Sequence, residues 1–97
     1  MAFGGDGASQ RFVHARVLSR RTADAVVLLA LDQPSSDPVA LSGTGIEIWD
    51  LLITPRSVGE VSNALGPAYA LPAGELEPSV DAYVARLHAA GLIERTA

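Results

Sequence analysis

Three strands followed by three helices, an α+β domain of winged-helix type built on a three-stranded antiparallel sheet, is the fold class this sequence predicts. Three observations carry it. Short alternating or β-branched runs fill the first forty residues, clusters of turn formers separate them, and apolar residues recur at helical spacing from Gly45 to Ile93. At 97 residues, 48% hydrophobic and 19% charged, the chain suits a single domain over 11–97 that buries its own core. Residues 1–10, glycine-rich and without apolar periodicity, read as a flexible tail.

Val13, Ala15 and Val17 alternate with His14 and Arg16, the period of a half-buried strand, so Val13 to Val17 is strand one. Arg20 to Asp24 is a polar connection. Ala25 to Leu31, an unbroken run rich in valine and leucine between turn-forming flanks, is the central strand two. The cluster Asp32-Gln33-Pro34-Ser35-Ser36-Asp37 makes the next turn, and Pro38 to Leu41 is a short strand three. Pro38 places that strand at a sheet edge, because proline has no amide for a ladder. Val39 and Leu41 should face one way and Ala40 the other.

The first helix opens just after Leu41, where Ser42 can cap it and Thr44-x-x-Glu47 has capping-box spacing. Gly45, Ile48, Trp49 and Leu52 recur at i, i+3, i+4 and i+7, which makes Trp49 a core anchor. Ser57-Val58-Gly59-Glu60 is a second capping box, Val58, Val61 and Leu65 form the buried stripe behind it, and Gly66-Pro67 is expected to end that helix. Tyr69 to Gly74 reads as a loop tethered by Tyr69 and Leu71. The last helix is expected from about Glu77, with Pro78 in its first turn and Val80, Tyr83, Val84 and Leu87 on its buried side. Gly91 should cap it in a left-handed conformation and return Leu92 and Ile93 to the core.

The chain has no cysteine and no lysine, a formal charge of -4 and a marked asymmetry. Residues 1–21 hold four arginines and one aspartate, whereas residues 22–97 hold three arginines and ten acids. Binding to a phosphate backbone relies on Lys and Arg, so the acidic helices argue against nucleic acid. The absence of cysteine excludes thiolate catalysis and disulfides. The apolar run Ala25 to Leu31 is too short to span a bilayer and no signal peptide precedes it, so a cytoplasmic location is expected.

Catalytic patterns are equally sparse. His14 and His88 lie on a strand and a distant helix with no nucleophile or ligand at useful spacing, and read as surface residues. Asp32 and Asp37 flank a turn, and Glu75 and Glu77 complement a helix N-terminus rather than pair on a metal. Gly43-Thr44-Gly45 lacks the lysine of a phosphate loop, and Ser42-Gly43 lacks the flanks of a nucleophile elbow. No enzyme activity, metal or cofactor is expected.

The run Leu41-Ser42-Gly43-Thr44-Gly45 with Ile48-Trp49 and Leu51-Leu52 resembles the signature of the PqqD-like family, the small peptide-binding chaperones also called RiPP recognition elements. Ser57-Val58-x-Glu60-Val61 with Leu65 is similar to the family's second helix. Val80-x-x-Tyr83-Val84-x-x-Leu87 with Gly91-Leu92-Ile93 is similar to its last helix and tail. The likeness covers about residues 25–94, with serine at 42 where asparagine is usual and Ser79 where aspartate is common. It implies a protein that captures the leader segment of a precursor peptide and presents it to a processing enzyme. The leader would add beside strand three and lie against the last helix, which gives a candidate site of Val39, Ala40, Leu41, Ser79, Tyr83, Arg86 and Leu87. An edge strand supports the same reading independently, since its unpaired backbone groups can bind an extended peptide or a second copy of the chain. The arginine-only, alanine-rich composition favours a leader protease of a lasso-peptide pathway as the following enzyme, with a radical enzyme of the pyrroloquinoline quinone type next. The rival classes are a winged-helix DNA-binding regulator and a non-catalytic subunit that stabilises an enzyme.

Overall fold

A computed structural model describes residues 10–33 and 37–96. The chain runs β1 (Arg11–His14), β2 (Val17–Arg21), β3 (Val26–Ala30), β4 (Val39–Leu41), α1 (Thr44–Leu51), β5 (Arg56–Ser57), α2 (Val58–Tyr69), α3 (Ala73–Ala89) and β6 (Ile93–Arg95). The expected antiparallel meander is β2-β3-β4, and three helices follow it. Its register sets Val17 against Ala30 and Arg21 against Val26, then Val26 against Leu41 and Leu28 against Val39. The expected tail over 1–10 lies outside the described residues except for Gln10, as does the centre of the Asp32–Asp37 turn.

The first strand differs from expectation. Val13 to Val17 is not one strand but a crossing between two sheets. Ala15 donates its amide to the Leu92 carbonyl at 3.0 Å, whereas the Arg16 carbonyl accepts from Leu31 at 3.0 Å, so the backbone changes partners between those two residues. The polar segment Arg20-Arg21 therefore lies within β2 rather than in a connection. Upstream of the crossing, β1 is the middle of a second antiparallel sheet, β5-β1-β6. That small sheet seats Phe12 and Ile93 beneath the helices.

Alternation along β3 decides what meets the helices. Val26, Leu28 and Ala30 are buried on the inner face with Leu41, and Val27 and Leu29 lie half-buried on the outer one. Above the inner face, Ile48, Trp49 and Leu52 of the first helical segment, Val58, Val61 and Leu65 of α2, and Val80, Val84 and Leu87 of α3 complete the core. Burial of this apolar area is the main term favouring the fold.

Helix ends carry both agreement and correction. Ser57 caps α2 in a full capping box, its hydroxyl accepting from the Glu60 amide at 3.1 Å while Glu60 accepts from the Ser57 amide at 2.8 Å. That backbone hydrogen bond, more than the nearby Arg11, holds the Glu60 carboxyl below the usual range. After α3, the Gly91 amide meets the His88 carbonyl and the Leu92 amide meets the Leu87 carbonyl, each at 3.0 Å, which is the Schellman arrangement around Gly91 at φ 76°.

In contrast, neither Ser42 nor Thr44 caps α1. The N-cap is Gly43 at φ 57°, and the first turn is closed by Gly45 and Ile46 amides on the Ser42 and Gly43 carbonyls. Thr44 and Glu47 instead both engage the Tyr69 hydroxyl, Thr44 at 2.9 Å, so the spacing of a box serves to clamp the end of α2 onto the start of α1. Gly66-Pro67 does not stop α2, which continues to Tyr69 and ends on Ala70 in the left-handed region. Likewise α3 starts at Ala73 behind Pro72, four residues before the expected Glu77, and carries Pro78 in its second turn. Pro78 would crowd the carbonyl four residues back, and that residue is the exposed Gly74, which has open space around it.

His14 is not a surface residue. Its ring stacks on Trp49 with centroids 3.5 Å apart and planes 9° apart, and Nε2 donates to the Trp49 carbonyl at 2.6 Å. Burial pushes the imidazole below its usual value, against the opposing pull of that hydrogen bond and of Asp50. The unfolded chain takes up the proton near about pH 6.5, the folded chain only at lower pH, so between the two the unfolded state binds more protons. This contribution to stability is complete above that pH and is lost as pH falls toward the lowered folded value. We expect the urea midpoint to drop from pH 7.5 to 5.5, and the drop to shrink in His14→Gln.

Candidate peptide-binding groove

The backbone hydrogen-bond phase fixes which groups of β4 are free. Arg16 bonds Leu31 and Thr22 bonds Ala25 across the β2-β3 pair, so residues 25, 27, 29 and 31 of that segment point their amides and carbonyls toward β2. Residues 26, 28 and 30 then point theirs toward β4. Val39 and Leu41, paired with Leu28 and Val26, are accordingly the bonded positions of β4, and Ala40, opposite Val27, turns its N-H and C=O away from the sheet. Among the described residues no strand pairs with that edge. Pro38 has the same phase as Ala40, so its missing amide costs the β3 ladder nothing.

Beside this edge runs α3. A groove of about 430 Å³ lies between them, lined by Val39, Ala40 and Leu41 on one side and Tyr83, Arg86, Leu87, Ala89 and Ala90 on the other, with Leu92 at its end. Six of the seven candidate residues meet here. Leu41, Leu87 and Leu92 are buried and form an apolar floor; Val39 is half-buried, and Ala40 and Arg86 are exposed at the lips. The seventh, Ser79, lines an adjoining cavity of about 470 Å³ with Ser42, Thr44, Gly45, Ile48, Leu65, Leu76, Val80 and Tyr83. Ala89, Ala90 and Leu92 were not anticipated, although Ala90 follows Arg86 at i+4 and Leu92 follows the Gly91 turn.

Tyr83 is the residue common to both cavities. Its ring sits against Gly45 of α1 so closely that a Cβ there would meet Tyr83 Cζ at 2.8 Å. The Arg86 guanidinium lies over the ring, 5.7 Å from its centroid. Burial raises the phenol above its ordinary value, and Arg86 partly opposes this, so the ring stays neutral at physiological pH. Arg86 forms no ion pair among the described residues. We expect Gly45→Ala to displace the Tyr83 ring and lower the affinity of a groove ligand several-fold by calorimetry. The melting temperature should hardly move, because alanine favours the helix by up to about 1 kcal/mol.

His88 and Asp32 are engaged in structural contacts. His88 meets Phe12 edge-on with ring centroids 5.7 Å apart. Asp32 pairs with Arg16 at 3.3 Å, a longer-range contact than the local turn bonds expected of it. No group of three or more His, Cys, Asp or Glu side chains among the described residues could hold a metal ion. No described helix is long and apolar enough to cross a membrane.

Comparison with known proteins bears on the same segment. Neither the curated proteins nor the solved structures contain a significant match. The family model described as coenzyme PQQ synthesis protein D matches residues 25–93, from the start of β3 through the groove helix to Ile93. With β3, β4, the three helices and the groove all inside that span, which covers well over half of the chain, the chain belongs to the PqqD family.

Proposed function

We propose that this chain binds the leader segment of a ribosomally made precursor peptide as a fourth strand beside β4 and presents it to a modifying enzyme. The observation that carries this reading is the outward N-H and C=O of Ala40 at an open edge, directly beside an apolar groove. An extended guest would gain main-chain hydrogen bonds at Ala40 and place alternate side chains over Leu41, Leu87 and Leu92. Arg86, without an ion pair among the described residues, would meet a guest carboxylate. Ordering a disordered leader costs about 2 to 5 kcal/mol, which the apolar floor must offset.

The chain itself performs no reaction in this reading. The following enzyme is a radical enzyme of the pyrroloquinoline quinone type, as the family's description suggests, or a lasso-pathway leader protease, as the composition favours. Leaders of both classes, titrated into the ¹⁵N-labelled protein, test the proposal. Saturable shifts should appear at Val39–Leu41 and along Tyr83–Ala90 with one class and not the other. Absence of saturable binding with every leader, or salt-sensitive binding to duplex DNA in its place, would sink it.

A further inference from the structure

The sheet has a second open edge. Among the described residues β2 pairs with β3 alone, and by the same phase argument Val17, Ser19 and Arg21 turn their backbone groups outward from it. Every residue of β2 after Val17 is exposed, and Leu18 is 61% exposed on the face that the helices do not cover. On that outer face a depression of about 200 Å³ is lined by Leu18, Arg20, Val27, Leu29 and Pro38 among others. Nothing among the described residues covers it.

Charge identifies what would. Arg16, Arg20 and Arg21 flank Leu18, and residues 10–21 contain no acid, whereas residues 22–97 carry ten acids against three arginines. Arg20 makes no ion pair among the described residues. Those of Arg16 with Asp32 and Arg21 with Asp50 join side chains that are all more than half exposed, pairs of a kind that solvent screens and that exchange readily. Arginines can serve simply to keep an edge from aggregating. That role does not account for an uncovered leucine over an apolar depression between them.

We infer that the β2 edge and the outer sheet face dock a partner protein through an acidic segment with apolar residues beside it. Nucleic acid fits less well, because Leu18 interrupts the arginines and the rest of the surface is acidic. The inference does not rest on the peptide reading of the β4 groove, which lies at the opposite edge. If both hold, the domain can hold a guest on one edge and an enzyme on the other without competition between them.

The test uses the whole ¹⁵N-labelled chain and the peptide acetyl-Glu-Glu-Thr-Val-Val-amide. Paired antiparallel with β2, it sets glutamates against Arg21 and Arg20 and a valine against Leu18. Saturating shifts at 17–21 and 27–29 are expected, with a dissociation constant on the order of 1 mM for so short a probe, weakening several-fold from about 0.05 to about 0.3 M salt. The same peptide with lysines for glutamates should produce none, and the exposed double change Leu18→Glu with Arg20→Glu should abolish the response. Equal response to the lysine peptide, or shifts confined to Val39–Leu41 and α3, would overturn the inference. So would concentration-dependent shifts without peptide, which would make the occupant a second copy, or tighter binding of duplex DNA at this edge. The groove proposal is read from different amides, so the two can fail separately.

Discussion

Trp49→Ala should cost about 3 to 5 kcal/mol, the range for emptying a buried large aromatic site, and should leave the domain close to unfolding at 37 °C. The side chain is 4% exposed and is held from two sides. Below it the core closes with Ile48 and Leu52; against its face lies the parallel ring of His14, itself tied to the Trp49 carbonyl. Truncation would empty the cavity and deprive a half-buried imidazole of its cover, so water would enter beside β1. A domain of this size holds roughly 5 to 10 kcal/mol in total, which makes the loss a large fraction of the whole. Urea unfolding followed by circular dichroism measures it, because the change also removes the only tryptophan signal. Trp49→Phe keeps an aromatic ring over His14 and should cost much less. Similar losses in the two variants would mean that a phenyl ring in this site restores neither the packing nor the stack on His14, and the two-sided account of Trp49 would fail.

What was legible in the sequence was local. Gly45, Ile48, Trp49 and Leu52 repeat at helical period and all four are buried. The Ser57 box and the Gly91 cap are each written within a few residues, and each forms as written. Pro38 gave the edge strand because its missing amide is a chemical fact that any fold must accommodate. Of the candidate groove residues, the three strand positions and Tyr83, Arg86 and Leu87 share one cavity because the local signals locate β4 and the C-terminal half of α3, which carry them. Ser79 falls in the neighbouring cavity because, two turns before Arg86, it sits past Tyr83 from the groove.

What was not legible is non-local. The second sheet joins Arg11–His14 to a two-residue strand at Arg56–Ser57 and to Ile93–Arg95 at the far end of the chain, and segments so short carry no periodicity of their own. The alternation from Val13 to Val17 was real but belonged to a chain changing partners at Ala15 and Arg16. The prolines misled for a related reason: Pro67 and Pro78 look like boundaries, yet tertiary packing of α2 on α3 keeps both inside helices. His14 looked solitary because its partner Trp49 is brought to it only by the fold.

Ala40→Pro should lower leader affinity about tenfold or more while leaving the fold intact. The reason lies in the phase of β4. The Ala40 amide points to the open edge and not to β3, so proline there removes no bond of the existing sheet, and an edge position with the amide toward solvent is where strands accept proline. Val39, as the preceding residue, is already extended and is not forced out of place. A guest strand, however, loses a hydrogen bond worth about 1 kcal/mol and meets the pyrrolidine ring where its own carbonyl would lie. Together these exceed the about 1.4 kcal/mol that corresponds to a tenfold change. Ala40→Val supplies the comparison, since it keeps the amide and adds bulk on the outer face, and it should bind within about twofold of the parent, as expected for an exposed surface change. Calorimetric titration of the bound leader into all three proteins, with melting curves as the check on folding, reads the difference. If proline at 40 leaves binding unchanged in a folded protein, the guest is held by the α3 wall and not by the strand edge, and the added-strand geometry must be given up.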